Sequence, residues 1–171
     1  MCESLTKISI PSSVICIGQY AFCECKSLIN VTFESPSLLK TIGYDAFYKC
    51  ESLNKIIIPP SVTKVGVKAF GCCTSLVNML LLANVKTITC DLFTCCTKLQ
   101  QISLSSSVTE ICGSSFNGCS SLKQISIPSS VTAIGKYAFC SCSSLTQIEI
   151  PSSVTSIGDY AFNECVSLTD V

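Results

Sequence analysis

The sequence predicts an α/β-type solenoid, predominantly β with short helical or 3-10 turns, wound in about seven coils of about 23 residues each. Three observations predict it. The leucines Leu5, Leu28, Leu53, Leu76, Leu99, Leu122, Leu145 and Leu168 recur at one constant spacing, and only the step from Leu28 to Leu53 is longer, by two. Seven of the eight phenylalanines (Phe22, Phe47, Phe70, Phe93, Phe116, Phe139 and Phe162) hold one place in that period. Eight of the fifteen cysteines hold another, three places before each leucine. A fixed period of this length is the signature of stacked supersecondary units.

Each element of the unit follows from its residues. The segment Leu-x-x-Ile-x-Ile alternates apolar and polar side chains with period two, which makes a short strand with one buried face. Pro-Ser-Ser then ends it, because proline lacks the N–H and serine favours turns. Val-x-x-Ile-Gly runs back along the opposite wall, where glycine suits a backbone turn that other residues resist. Ala-Phe follows and drives an aromatic ring inward, so the phenylalanines should form one stack along the solenoid axis. A single coil buries too little apolar surface to offset the entropy of ordering its own chain, so neighbouring coils must cover one another. With strands about 4.8 Å apart, seven coils should span about 35 Å.

The chain reads as one domain. It comprises a part-repeat at 1–4, repeats at 5–27, 28–52, 53–75, 76–98, 99–121, 122–144 and 145–167, and a part-repeat at 168–171. Both ends fall within a unit and lack polar caps. This predicts a slice of a longer array, with unfinished ends open to end-to-end self-association.

At this point the residues are specific enough to compare with a family. Ile125 to Phe139 (Ile-Ser-Ile-Pro-Ser-Ser-Val-Thr-Ala-Ile-Gly-Lys-Tyr-Ala-Phe) and its counterpart Ile148 to Phe162 resemble the BspA-like class of leucine-rich repeats. The cysteine-rich units look most like those of protozoan members such as those of Trichomonas and Entamoeba. The resemblance covers the whole chain. It implies a protein-binding or adhesive module without catalytic residues, and it suggests the cell surface. Leucine-rich-repeat proteins inside eukaryotic cells also act as adaptors, including regulators of protein phosphatases, so an intracellular regulatory subunit is the alternative. A self-assembling structural solenoid is another.

Composition narrows the function classes. Eleven Lys plus Arg balance eleven Asp plus Glu, and charged residues make up 13% of the chain, which argues against nucleic acid as a partner. No apolar run approaches the ~18 residues of a membrane span; the longest lies around Met79 to Leu82. The first residues carry neither a basic segment nor an apolar stretch of signal-peptide type.

Histidine is absent, which removes the usual general base and the commonest metal ligand. The serines recur in turns, and Gly18, Gly43, Gly66, Gly135 and Gly158 occupy one repeat position rather than a phosphate-binding cluster. The expectation is no enzyme, no cofactor and no small-molecule substrate.

The cysteine column comprises Cys2, Cys25, Cys50, Cys73, Cys96, Cys119, Cys142 and Cys165. A buried thiol there serves as a small hydrophobe with a weak donor. Parallel Cβ vectors one rung apart exceed the disulfide Cβ spacing of about 3.5–4.5 Å, so free thiols are expected, and these suit a reducing, cytoplasmic setting. Cys72-Cys73 and Cys95-Cys96 stack on successive coils. They leave open a Cys72–Cys95 disulfide or a four-thiolate zinc site, although adjacent turn residues point to different sides.

The residues between the buried ones of each strand should form an open polar face. Its middle departs from that rule: Ile57, Val77, Leu80 and Leu82 form an apolar patch flanked by Lys55, Asn78 and Gln101, and these seven are the candidate partner-binding residues. The competing reading is that the fourth coil is merely irregular, lacking Pro at Leu82, Gly at Thr89 and Ala at Leu92. The two extra residues of coil two, around Glu34-Ser35-Pro36-Ser37, should bulge at one edge. Asn30-Val31-Thr32 matches a glycosylation acceptor, with consequence only for a secreted chain.

Overall fold

A computed structural model of the chain describes residues 2, 4–81 and 84–170. Among them thirteen strands form, in chain order β1 (Lys7–Ile10), β2 (Cys16–Ile17), β3 (Asn30–Phe33), β4 (Thr41–Ile42), β5 (Lys55–Ile58), β6 (Lys64–Val65), β7 (Asn78–Leu81), β8 (Thr87–Ile88), β9 (Gln101–Ser103), β10 (Glu110–Ile111), β11 (Gln124–Ser126), β12 (Ala133–Ile134) and β13 (Ser156–Ile157). The strands from Leu-x-x-Ile-x-Ile build one parallel front sheet, ordered β1-β3-β5-β7-β9-β11. Its register steps Lys7↔Asn30↔Lys55↔Asn78↔Gln101↔Gln124, so every coil advances by the same amount except coil two, which takes two more. The seventh coil adds a single bridge, Gln147↔Asp170.

The back wall is divided. Its two-residue strands form one sheet of β2-β4-β6 and another of β13-β12-β10-β8, and no register pair joins β6 to β8 among the described residues. The division falls where the glycine column is first interrupted. A Cβ on Gly66 would lie 2.4 Å from Tyr44 N, and one on Gly43 would lie 2.7 Å from Gly18 C, distances no side chain tolerates. Thr89 is the first residue to interrupt this column, and its Oγ1 donates to Gly66 O at 3.1 Å. Cys112, the next departure from glycine, keeps its ladder, donating its N–H to Ile88 O at 2.8 Å. The expected role of this glycine column is thereby corrected: its need is space for the neighbouring coil, because none of these glycines has a positive φ.

The third side holds the expected short turns of 3-10 character. Bonds of 3-10 type recur along it, such as Ala46 N to Gly43 O at 3.4 Å, Tyr48 N to Asp45 O at 3.1 Å and Cys50 N to Phe47 O at 3.1 Å. They do not run on into a helix because two residues per coil adopt positive φ, for example Asp45 (50°) and Lys49 (56°) in coil two, with Cys72 and Cys95 (57° each) among those in coils three and four. Non-glycine residues adopt this conformation at a cost of about 1–2 kcal/mol. Only coil five uses glycine there, at Gly118 (73°). Since Cys95 is exposed and contributes little packing, Cys95→Gly should raise stability by a net ~0.5–1 kcal/mol, the relief of strain exceeding the added unfolded-state entropy. The urea midpoint measures it, and a lower midpoint would contradict the account.

The core consists of columns. Phe47, Phe70, Phe93, Phe116 and Phe139 are fully buried, with Phe22 and Phe162 half-buried at the two ends. Neighbouring rings lie 5.2–6.0 Å apart and within 19° of parallel. Parallel rings at that separation are offset stacks, which the solenoid translation imposes by repeating one rotamer on successive coils.

The thiol column lies beside the rings. Cys50 Sγ donates to Phe22 O, Cys73 to Phe47 O, Cys96 to Phe70 O, Cys119 to Phe93 O, Cys142 to Phe116 O and Cys165 to Phe139 O, all at 3.1–3.2 Å. Each thiol therefore satisfies a carbonyl of the previous coil's aromatic residue. The same carbonyls also accept a backbone N–H from the cysteine of their own coil, as Phe47 O does from Cys50 N at 3.1 Å, so the thiol fills the second lone pair of each.

Candidate functional site

Period-two alternation places every second residue of a front strand toward solvent. Ile56, Ile58 and Met79 point inward and are buried, so Lys55, Ile57, Asn78 and Leu80 point outward. Register then assembles them. Lys55, Asn78 and Gln101 form one row across β5, β7 and β9, and Ile57, Leu80 and Ser103 form the next. Ile57 and Leu80 thus face each other on adjacent strands, 43% and 42% exposed.

Val77 belongs to a third row with Asn54 and Gln100, donating its N–H to Asn54 O and accepting from Gln100 N. It is half-buried, where an outward position was expected. The expectation for Leu82 falls outside the described residues. Lys7, Ser9, Asn30, Thr32, Ser103, Gln124 and Ser126 are polar and exposed as the alternation requires, while Ile29, just before β3, is an exposed apolar residue.

Exposed apolar side chains in opposition minimise water contact when something covers them. In a row otherwise occupied by Ser9, Thr32, Ser103, Ser126 and Glu149, only coils three and four place an apolar side chain. The patch lies on the side of the molecule away from the back-wall division, where the two coils remain joined by the full four-pair register of β5 and β7.

Two other clusters can be weighed on their contacts. All fifteen cysteines are free. Cys73 and Cys96 are buried while Cys95 is exposed and Cys72 half-buried, so neighbouring thiols diverge, and among the described residues no group of three or more His, Cys, Asp or Glu is placed to hold a metal ion. The buried Ser115 hydroxyl is directed at backbone carbonyls of Cys112, Ile88 and Thr89, a structural use of a serine. Burial also pushes the Asp45 carboxyl above its usual range, opposed by Lys68 and by a hydrogen bond from Tyr44. Sequence reasoning missed Asp45, since nothing in its place in the repeat marks it as buried.

A parallel front sheet, a thiol-and-phenylalanine core and an outward row of side chains define a leucine-rich-repeat solenoid of scaffold type. The model of the BspA-type leucine-rich repeat region matches residues 1–123 and 86–171 in six copies, and the chain belongs to this family.

Solved relatives agree with the fold. A leucine-rich repeat protein of T. pallidum superposes with a TM-score of 0.90 at 27% identity, over 96% of this chain and 78% of that one. One from Eubacterium ventriosum gives 0.88 at 32% identity, over 97% and 44%. A leucine-rich cell surface protein of Faecalibacterium prausnitzii gives 0.65 at 36% identity, over 96% and 38%. The chain therefore spans less than half the length of the latter two. No curated protein resembles it closely enough in sequence to match.

Proposed function

We propose that the front sheet binds a partner protein through Ile57 and Leu80, with Val77 beside them, Lys55, Asn78 and Gln101 as the polar margin, and Leu82 as a further candidate from sequence. One observation supports this above the rest: two large aliphatic side chains meet in register in a row that the other coils fill with Ser, Thr or Glu. Apolar anchors ringed by polar residues are the usual energetic centre of a protein interface. The family's scaffold character supports the same reading, with the chain presenting a surface rather than transforming a substrate.

The test is affinity capture from the source cell with the native chain, Ile57→Asp and Leu80→Asp as separate baits. Each aspartate should reduce recovery of the specific partner by about tenfold or more, as loss of a central anchor does. Equal recovery by all three baits would remove the patch from consideration.

Two settings fit such a module. The likeness to a protein described as a cell surface protein supports adhesion. The exposed thiols Cys2, Cys16, Cys90 and Cys95 support an adaptor in a reducing compartment, because exposed unpaired cysteines oxidise outside the cell. Thiol labelling of protein taken directly from the source cell distinguishes them: reactive exposed cysteines indicate the interior, and blocked ones the surface.

A further inference from the structure

Within the six-stranded front sheet, one joint is held by far fewer pairs than the others. Among the described residues β3 and β5 share a single register pair, Asn30↔Lys55, whereas β1 with β3 and β5 with β7 each share four. Two features of the sequence meet there. Coil two carries its surplus residues directly after β3, at Glu34 to Ser37, and coil three turns on Pro59-Pro60, where Pro60 replaces the serine that follows proline in coils one, six and seven. Past Asn30 and Lys55 the strands diverge around a cleft of about 600 Å³. Its walls are Phe33, Pro36, Ile57, Pro59 and Pro60, with Lys55 at the closed end. Phe33 is the one phenylalanine outside the axial stack. The insertion is tied down on its far side, where Glu34 Oε2 accepts the Ser12 N–H at 3.2 Å. Lys55 is exposed and has no acidic partner within ion-pair distance among the described residues.

In a parallel sheet a strand turns backbone N–H and C=O groups toward both neighbours. Beyond Asn30 and Lys55 the facing edges of β3 and β5 have no ladder to join, so the cleft combines peptide edges with aromatic, aliphatic and proline walls. A small apolar molecule would leave those edges unmatched, and a polar one would leave the walls in contact with water. A peptide meets both, since it brings its own donors and acceptors together with side chains. We propose that this cleft receives an extended segment of the partner protein, seating one apolar side chain between Phe33, Ile57 and the prolines, its main chain along an open strand edge, and an acidic residue next to that side chain against Lys55. The proposal rests on the reading of the front sheet as a partner-binding face and adds the chemistry of what one part of it recognises.

The test uses short end-blocked peptides carrying a fluorescent label, titrated against the native chain by anisotropy: one with a central Leu flanked by Glu, one with the same Leu flanked by Lys, and one with Ser in place of Leu between Glu residues. The Leu-Glu peptide should bind best, with each of the other two about tenfold weaker. Its amide shift changes should centre on Thr32, Phe33 and Ile57. Lys55→Glu should invert the preference toward the Lys-flanked peptide. Should that variant fail to fold, Lys55→Gln must abolish the charge discrimination while retaining discrimination between Leu and Ser. Equal binding of all three peptides, binding of none, or shifts centred elsewhere would overturn the proposal. If the native partner is lost on Leu80→Asp, which lies outside the cleft, yet no peptide binds, the cleft fails and the sheet-face reading stands. Peptide binding at the cleft together with undiminished partner recovery by Leu80→Asp would instead retain the cleft and remove Leu80 from the binding face.

Discussion

Under reducing conditions the protein should lose stability steeply above about pH 9, at roughly 1.4 kcal/mol per pH unit for each fully buried ladder thiol. Cys50, Cys73, Cys96, Cys119 and Cys142 all have no exposed surface. Burial pushes the Cys50 thiol from the ordinary value of 9.0 up to about 12. Burial likewise pushes Cys73, Cys96, Cys119 and Cys142 upward, with nearby thiols adding to the rise, those of Cys72 and Cys95 in the case of Cys96. The hydrogen bonds agree with that direction, because each of these thiols needs its proton to donate to a phenylalanine carbonyl.

The sign follows from proton binding. Between the unfolded value near 9 and the raised folded values, the unfolded chain releases protons that the folded chain retains, so the folded state loses ground as pH rises. Below pH 9 both states hold the protons and the contribution is level. Five thiols acting together give about 7 kcal/mol per unit, comparable with the whole stability of a typical domain, so unfolding should be complete within about two units. Urea titrations across this range, with reductant and without oxygen, measure the slope. Cys96→Ser should make it shallower by about one proton. A stability that stays flat to pH 11 would show that these thiols are not held away from water.

Phe93→Ala should cost about 3–5 kcal/mol, the range for emptying a buried aromatic site. The ring has no exposed surface and lies between Phe70 at 6.0 Å and Phe116 at 5.4 Å, so its removal leaves a gap in a column closed on both sides. The neighbours cannot close over it, because each is held by the backbone of the following coil: Phe70 N–H donates to Leu92 O at 3.1 Å and Phe116 N–H to Ala138 O at 2.8 Å. Phe162, half-buried on the last full coil, stacks only on Phe139 at 5.4 Å, and Phe162→Ala should cost about half as much or less. Thermal and urea unfolding of the two variants settle the comparison. Equal, small losses at both sites would show that the stack follows from the fold and does not hold it.

Much of this is legible because repetition amplifies weak signals. One Leu-x-x-Ile-x-Ile segment is ambiguous between strand and buried helix, whereas its return once per coil, at register Lys7↔Asn30 and Asn78↔Gln101, admits only stacked coils. The stack of phenylalanines, the thiol column and the outward places of Lys55, Ile57, Asn78, Leu80 and Gln101 follow from that stacking alone. Val77 departs from its expected place because it precedes the strand proper, where the period-two rule has not yet taken hold.

The backbone of the turns is not legible for a different reason. Tyr20, Asp45, Lys68, Asp91, Ser114, Tyr137 and Tyr160 share one positive-φ position, yet none is glycine, the residue that would announce it. The conformation is imposed by neighbours. All but the last of these residues bond through their N–H to the next coil, as in Tyr20 N to Tyr44 O at 3.0 Å and Lys68 N to Cys90 O at 3.1 Å, and that ladder holds the residue in a region it would otherwise avoid.

Residue types at a repeated place were enough to set the period, the columns and the side of each front strand that meets solvent. Contacts between coils, visible only in three dimensions, set where the repetition fails. They part the back wall at Thr89, whose hydroxyl bonds to Gly66 O where other coils continue the ladder. They part the front sheet after Asn30, because a longer coil and a double proline cannot both keep step with their neighbour. Such misfits belong to the contact between two coils, and the residues of either coil read singly do not contain them.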